Sequence, residues 1–399
     1  MRILYVAAGI AAPGAHGGAT HVLEVATGLA ARGHQVDVVN MSAGGQSATE
    51  VIAGARFHRL RFGKVGGLLY YPTVSRLARK LRPDIIMERY YNLAGAGILV
   101  AARRRIPSIL EINAPIVDPP TSRKSKLDRL LGRPMQRWAA HQCRLASRIV
   151  TPLASTVPPA LLPQRDKICE LPWGANVEQF DRQRVSTEHG AELAALRNKL
   201  GLHEGQPVAV FSGSFRHWHG VDQFAAAARL LAADLPTAAF IFIGDGPLLA
   251  GVRALGADLA GRFITPGAVA YEEVSLYLAL ASVGVAPFNP AAHEALRRFG
   301  FYWSPLKIFE YMAMSLPTIT IDIPPLNQII RDRVDGLLYP AGDVAALRER
   351  LAALLTDPGR AATMGASARQ RVVEKYSWQA HCRALEEIML ELTGQLADS

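Results

Sequence analysis

The chain has 399 residues, half of them hydrophobic, which suffices for two domains with separate cores and excludes a disordered tail or a fibre. Three widely spaced cysteines, Cys143, Cys169 and Cys382, match neither a zinc spacing nor an even disulfide framework, so a reducing cytoplasm is the expected compartment. The formal charge of +10 favours anionic partners without choosing among them, and no run approaches the roughly 18 apolar residues of a spanning helix.

"RILYVAA" opens the chain as a first strand. The same stretch, with Arg2, an apolar run and small residues, has the look of a short signal peptide, but the segments after it continue one α/β rhythm. A helix from His21 to Arg32 closes at Gly33, and "QVDVVN" follows as a strand. Next come "PDIIME", a helix through "GAGILVAARRR", "IPSILEIN", a long basic helix around residues 124 to 146, and "SRIVTP". Short apolar runs alternating with amphipathic helices predict a parallel sheet covered on both faces. After "ICELPWGANVEQFD" and a polar helical stretch the rhythm restarts with "PVAVFSGSF", a helix from Val221 to Ala233, "AAFIFIGDG", a helix near 248 to 260, "RFITPG", "SVGVAPF" and "TITID". Ala- and Leu-rich helices from about 343 end in "YSWQAHCRALEEIMLEL". The expected class is α/β with two doubly wound domains, and ligands of such sheets sit beyond the carboxyl ends of the strands, so a cleft between domains is the default site.

Four segments fall where that site would be. "GAHGGATHV" follows the first strand and opens a helix, and Gly17 and Gly18 leave free amides for an anion; it is not G-x-G-x-x-G, and a plain flexible loop is the alternative. "FSGSFRHWHGVDQF" places Arg216 and His219 before another helix start, where both could hold phosphate oxygens, or only lie around a packed Trp218. "SPLKIFEYMA" begins like a helix with Ser304 as N-cap and Pro305 at the first position, followed by Leu306. A capping box would have Glu or Gln at the third position, and this chain has Lys307, a cation at the positive end of the helix dipole. An anion between them resolves the conflict, so Lys307 and the helix amides are read as phosphate ligands and Glu310, one turn on, as a ribose ligand; an exposed ion pair is the alternative. "MERYYN" and "LEINAP" put Glu88, Arg89, Glu111 and Asn113 at strand ends, either facing a ligand or as satisfied loop residues.

Taken in order, "GGATHVLEVATGLAARGHQVDVV", "FSGSFRHWHGVD", "FIGDGPLL", "SPLKIFEYMA", "LPTITID" and "DGLLYPAGD" resemble the retaining nucleotide-sugar glycosyltransferases of family 4, group 1. The resemblance implies the GT-B architecture: two Rossmann-like domains facing across a cleft, an acceptor domain over residues 1–178, a nucleotide-sugar domain over 179–375, and a C-terminal helix, 376–399, crossing back. It implies donor binding by Gly17, Gly18, Ser214, His219, Gly244, Tyr302, Ser304, Pro305, Leu306 and Glu310. In the family motif two Glu flank seven residues; Glu310 matches the second and Tyr302 replaces the first. The loop positions that often carry Arg and Lys for the diphosphate hold Ser214 and His219, so Arg216, His219 and Lys307 are left to supply the charge. Asn113 stands where many relatives have a His beside the donor sugar, and acceptor contacts are expected from Arg89, Glu111 and His21.

The chemistry so implied is transfer from a nucleoside-diphosphate sugar, with a UDP-sugar as the expected donor, to a hydroxyl acceptor in polysaccharide or glycoconjugate assembly. Arg216, Lys307 and Asn113 are the expected catalytic groups, and neither a cofactor nor a metal is called for, since fixed cations and helix amides can meet the developing diphosphate charge. Another GT-B reaction, such as a nucleotide-sugar epimerase, and a silent nucleotide-sugar sensor are the alternatives. The basic segment "SRKSKLDRLLGRPMQRWAAHQCRLASR" offers peripheral contact with an anionic membrane at the inner face of the cell membrane, or merely a solvated face. Nucleic acid is not expected, because no stacking aromatics interleave with the basic runs.

Overall fold

The structure is a computed structural model and describes residues 1–14, 17–42, 44, 47–61, 64–259 and 261–395. The chain forms two compact units, one of Met1–Trp173 with Tyr302–Ser304 and the chain from Trp378 onward, the other of Gly174–Phe301 and Pro305–Ser377.

The first unit is built on β1 (Arg2–Ala11), β2 (Gln35–Met41), β3 (Thr49–Ile52), β4 (Ala55–Leu60), β5 (Ile85–Arg89), β6 (Ser108–Glu111), β7 (Arg148–Thr151) and β8 (Ile168–Glu170). They lie in the order β3-β4-β2-β1-β5-β6-β7-β8 and pair in parallel except for β3 on β4. Strands buried on both faces must be apolar nearly throughout, as β1 is and as β5 is up to Met87, before Glu88 and Arg89 at its end; this is why their runs were legible. The β3–β4 edge hairpin, turning at Ala53 and Gly54 with positive φ, is absent from the sequence reading: β4 alternates and β3 is almost wholly exposed, so neither forms an apolar run.

The second unit contains β9 (Val208–Ser212), β10 (Ala239–Ile243), β11 (Phe263–Gly267), β12 (Val283–Ala286), β13 (Thr318–Ile321) and β14 (Gly336–Tyr339), ordered β11-β10-β9-β12-β13-β14 and parallel throughout. In each sheet the chain starts in the middle, builds outward one way, then returns to build the other way. The reversal falls between β1 and β5 in the first unit and between β9 and β12 in the second, the places where strand-end loops diverge and leave room for a ligand.

Two helical expectations are corrected. The long basic helix is two helices, Arg123–Leu130 and Pro134–Leu145, because Gly132 and Arg133 both take positive φ and Pro134 cannot continue the hydrogen-bond ladder. The Asp128 carboxylate closes the gap by accepting the amides of Met135 at 2.7 Å and Gln136 at 3.3 Å. Ser304 does not cap the helix that follows it: its hydroxyl accepts the Trp173 amide at 3.0 Å, Pro305 is the N-cap with ψ 71°, and the helix runs Leu306–Ala313. Its first turn therefore has no side-chain cap.

The final helix, Trp378–Thr393, packs on the helix Gly17–Ala31 within the first unit. Contact is close because Gly28 lacks a side chain: a Cβ there would lie 2.6 Å from Cys382 Sγ. At the edge Glu386 accepts from Arg32 Nε and pairs with His34 Nε2, both at 2.7 Å. Gly28→Ala is therefore expected to lower Tm, with an overpacking cost of about 1–3 kcal/mol, and Cys382→Ala added to it should recover most of the loss. Thermal melts of the two single variants and the double variant check this; additive losses would show that the two residues do not oppose one another.

Candidate functional site

In the second unit the loops after β9, β10 and β12 are laced together at the reversal point. Gly213 N donates to Ile243 O at 2.9 Å, Phe215 N to Asp245 O at 2.8 Å, and Asn289 N to Trp218 O at 3.1 Å. Gly220, with φ 70°, starts the helix Val221–Asp234 so close to β12 that a Cβ would stand 1.7 Å from Pro287 O, and one on Gly244, with φ 134°, would stand 1.9 Å from Gly213 O. No side chain fits at either position.

Lys307 reaches into this lacing from the second position of its helix. Its Nζ lies 3.2 Å from His219 Nδ1, 4.0 Å from the centroid of Phe211 and 5.2 Å from that of Phe288. A Cβ on Gly213 would come within 2.8 Å of the same nitrogen. The ammonium is buried at the exit of the two strands between which the sheet reverses, with aromatic faces as partial compensation for lost water. Burial pulls it down to about 7, with the Glu310 carboxylate acting the other way.

Lys307 and Glu310 do not form the exposed ion pair that their spacing allowed. Both are buried, and Glu310 Oε1 instead accepts the hydroxyl of Tyr271 at 3.2 Å. Burial pushes this carboxyl up to about 7. His219 needs a correction: burial, with Lys307 and Arg216 beside it, takes its imidazole down to about 3, so it is neutral and supplies no positive charge at neutral pH. With Lys307 donating to Nδ1, the ring proton sits on Nε2. Arg216 is exposed, its guanidinium 5.1 Å from the ring centroid of Trp218, and Ser214 is half-buried in the same loop.

In the first unit Gly17 and Gly18 begin a helix, as expected; Ala15 and His16 of the same loop lie outside the described residues. His21, Arg89, Glu111 and Asn113 come together, and with one another. Glu111 is the hub: its Oε1 lies 3.2 Å from Arg89 Nη1 and 3.3 Å from His21 Nδ1, its Oε2 accepts Tyr5 OH at 2.6 Å, and Asn113 Nδ2 also donates to it. Asn113 Oδ1 accepts Trp173 Nε1 at 2.7 Å, so both ends of the amide are engaged. His21 stacks obliquely on Trp173 with centroids 4.5 Å apart and meets Trp378 and His381 edge-on. Tyr302 is buried and groups with this unit, against Trp303. Glu88 is structural: it accepts the amides of Gly95 and Ile98, both at 2.8 Å, and so caps the helix Ala96–Arg104.

Three residues that organise these clusters, Tyr5, Trp173 and Tyr271, went unread in the sequence. Tyr5 sits in a plain apolar strand, Trp173 in the irregular "PWG", and Tyr271 at the start of a short turn, none in a pattern that calls for chemistry.

Comparison with known proteins draws the two halves together. The sequence profile of the family described as Glycosyltransferase Family 4 matches residues 15–157, and that of Glycosyl transferases group 1 matches residues 206–357. The chain is 28% identical over 326 residues to the 2-deoxystreptamine N-acetyl-D-glucosaminyltransferase of Streptomyces fradiae, covering 79% of this chain and 72% of that one. Its fold resembles that of the sucrose-phosphate synthase of Thermosynechococcus elongatus, with a TM-score of 0.69, 19% identity and 98% and 99% of the two chains covered. It also resembles Anabaena HepE solved with UDP, with a TM-score of 0.70, 15% identity, and 98% and 100% covered. Matches of this kind in both units, on a pair of parallel α/β sheets, mark an enzyme of nucleotide-sugar glycosyl transfer in glycoconjugate biosynthesis. The chain belongs to the family 4, group 1 glycosyltransferases and has their GT-B fold.

Proposed function

We propose that the second unit holds the donor, a nucleoside-diphosphate sugar, with Lys307 on the diphosphate and Glu310 on the ribose. The observation that carries this is the place of the Lys307 ammonium, 3.2 Å from the ring of His219, the loop residue standing where many family members have a lysine of their own. A cation lost from the loop is thus returned to it from the helix. Arg216, exposed on the same loop, is the second cation within reach of a phosphate, and the uncapped amides of the helix Leu306–Ala313 add their dipole. The fold shared with HepE, solved with UDP, makes UDP the first base to try.

Transfer follows from where charge develops. Breaking the anomeric bond leaves negative charge on the diphosphate oxygen, and a cation fixed beforehand in a dry site stabilises that charge without reorganising. We infer that Lys307 does what a divalent ion would otherwise do, and that transfer retains the anomeric configuration, as is general in this family. The acceptor hydroxyl then approaches the face the diphosphate leaves, its oxygen bonds to the anomeric carbon, and its proton passes to the departing oxygen. Asn113, held at both ends, acts in positioning, and the Arg89–Glu111–His21 cluster gives the first unit a fixed floor for the acceptor. A relative whose name records N-acetylglucosaminyl transfer to an aminocyclitol makes hexosyl transfer the natural type. Turnover that persists in EDTA, with a product whose anomeric coupling matches the donor's, is the expected result; loss of turnover in chelator or an inverted product overturns the respective half of this mechanism.

Lys307 sets a stability–function conflict that can be measured. Its amine titrates near 7 in the folded chain against an ordinary value of 10.5, so the folded state binds fewer protons between those values and stability from this group rises with pH across them. Lys307→Met should raise Tm at pH 6 and lose that advantage towards pH 10, while UDP affinity drops by roughly ten- to a hundredfold. In the unaltered chain affinity should fall above pH 7 as the amine loses its proton, and Lys307→Arg should flatten that limb. Calorimetric titration over pH 6–9 reads both; an unchanged limb in Lys307→Arg would remove Lys307 from the diphosphate.

We further propose peripheral contact with anionic membrane through the helix Arg123–Leu130. None of its residues is buried, Leu130 and the following Leu131 are 83% and 63% exposed, and the same helix carries Arg123, Lys126 and Arg129. Each cation near an anionic surface contributes about 1 kcal/mol, and the leucines supply the apolar anchor. The chain should cosediment with phosphatidylglycerol vesicles and not with phosphatidylcholine ones, and Leu130→Ser with Leu131→Ser should abolish it; binding unaffected by that pair would leave the helix merely solvated.

A further inference from the structure

At the amino ends of β1 and β5, the end of the first sheet away from the Glu111 cluster, lies a cleft of about 400 Å³, within the range of roughly 300–1,000 Å³ that small-molecule clefts occupy. The closing turns of the helices Tyr71–Leu81 and Ala96–Arg104 line it. Four arginines, Arg2, Arg79, Arg82 and Arg104, face one acid there, Asp84. That acid is already committed: it accepts the Arg2 amide at 2.7 Å and Arg2 Nη2 at 3.0 Å. Arg104 Nη2 donates to Ser75 O at a long 3.4 Å, and among the described residues the guanidinium groups of Arg79 and Arg82 have no hydrogen-bond or ion-pair partner.

Arginines gather at helix carboxyl ends simply to offset the dipole, and the magnitudes show that this cleft holds more cation than that. Each helix end carries about half a negative charge, so two ends and Asp84 together cancel about two of the four cations. About two positive charges remain. Arg82 adds a second sign: it ends its helix with φ 48° and ψ 60°, its amide on Ala78 O at 3.1 Å, in a left-handed cap that glycine or asparagine adopts at less cost. An arginine kept at such a position points to a use for its side chain. We propose that the cleft binds a phosphate monoester, with Arg79 and Arg82 as its main ligands and Arg104 turning from Ser75 to join them. A guanidinium offers two parallel N–H donors to a phosphate, and a monoester is close to a dianion at neutral pH, which matches the charge left over. β5 is 5 residues long, so the cleft lies about 16 Å from the strand's other end and is separate from the Arg89–Glu111 cluster.

A free metabolite and a lipid headgroup both carry such a group, and two probes tell them apart: glycerol 3-phosphate by calorimetric titration, and phosphatidylcholine vesicles containing phosphatidic acid by cosedimentation. The vesicle arm is run with Leu130→Ser and Leu131→Ser in place, so that the other proposed membrane contact does not mask it. The unaltered cleft should bind at least one probe. Arg79→Gln with Arg82→Gln should weaken that binding about tenfold or more, while Arg103→Gln with Arg105→Gln, which removes the same charge from exposed positions outside the cleft, should change it by less than about twofold. Lys307→Met should leave it in place, since the donor site is the other place for a phosphate. Loss confined to the Arg79 and Arg82 pair supports the site, with glycerol 3-phosphate marking a soluble ligand and vesicles alone marking a headgroup. Binding of neither probe, binding that this pair leaves unchanged, equal loss in the two arginine pairs, or loss in Lys307→Met overturns it.

Discussion

A single buried ammonium sets the terms for the second unit. Lys307 has given up water for two aromatic faces and one neutral imidazole, a poor exchange for a cation, and its proton is held weakly as a result. The groups around it make the exchange tolerable. Gly213 keeps clear of it, His219 stays neutral in its presence, and Glu310 is close enough to be felt without closing an ion pair. A direct pair would have satisfied the amine and hidden it. Geometry that leaves the two charges apart is what the proposed binding of a diphosphate and a diol would draw on.

The first unit solves the opposite problem. Around Glu111 the side chains of His21, Arg89, Asn113 and Tyr5 each reach the carboxylate, with only His21 Nε2 left without a hydrogen-bond partner, so the cluster holds its shape from within. Such a network is rigid because each member is oriented by at least one other. The two units thus differ in kind: one holds a buried cation with little compensation, the other a carboxylate ringed by donors.

How much of this was legible follows from what a linear pattern can carry. The central strands of both sheets were, since burial on two faces demands continuous apolar runs, and Lys307 could be singled out because it broke a local rule of helix starts; its burial among aromatic rings is what the structure adds. The edge hairpin was not, having one wet face. Ser304 misled because a good capping residue was already committed to the amide of Trp173, far away in sequence. Glu88 read like a strand-end ligand and serves as a helix cap, since the N-cap residue of the helix that needs it, Gly95, stands seven residues on. The neutrality of His219 and the hold of Tyr271 on Glu310 depend on burial and on contacts across dozens of residues, and no spacing rule encodes either. Sequence reveals where chemistry is wanted; it does not reveal which groups have already been spent.

The narrow approach of Lys307 to Gly213 has a consequence for descent. With φ 142°, position 213 favours glycine whatever stands at 307, and the lysine nitrogen, 2.8 Å from where a methyl would sit, would also have to shift to admit one. A residue other than glycine at 213 would displace the amine as well as strain the loop, so in the course of descent a change at one position is felt at the other.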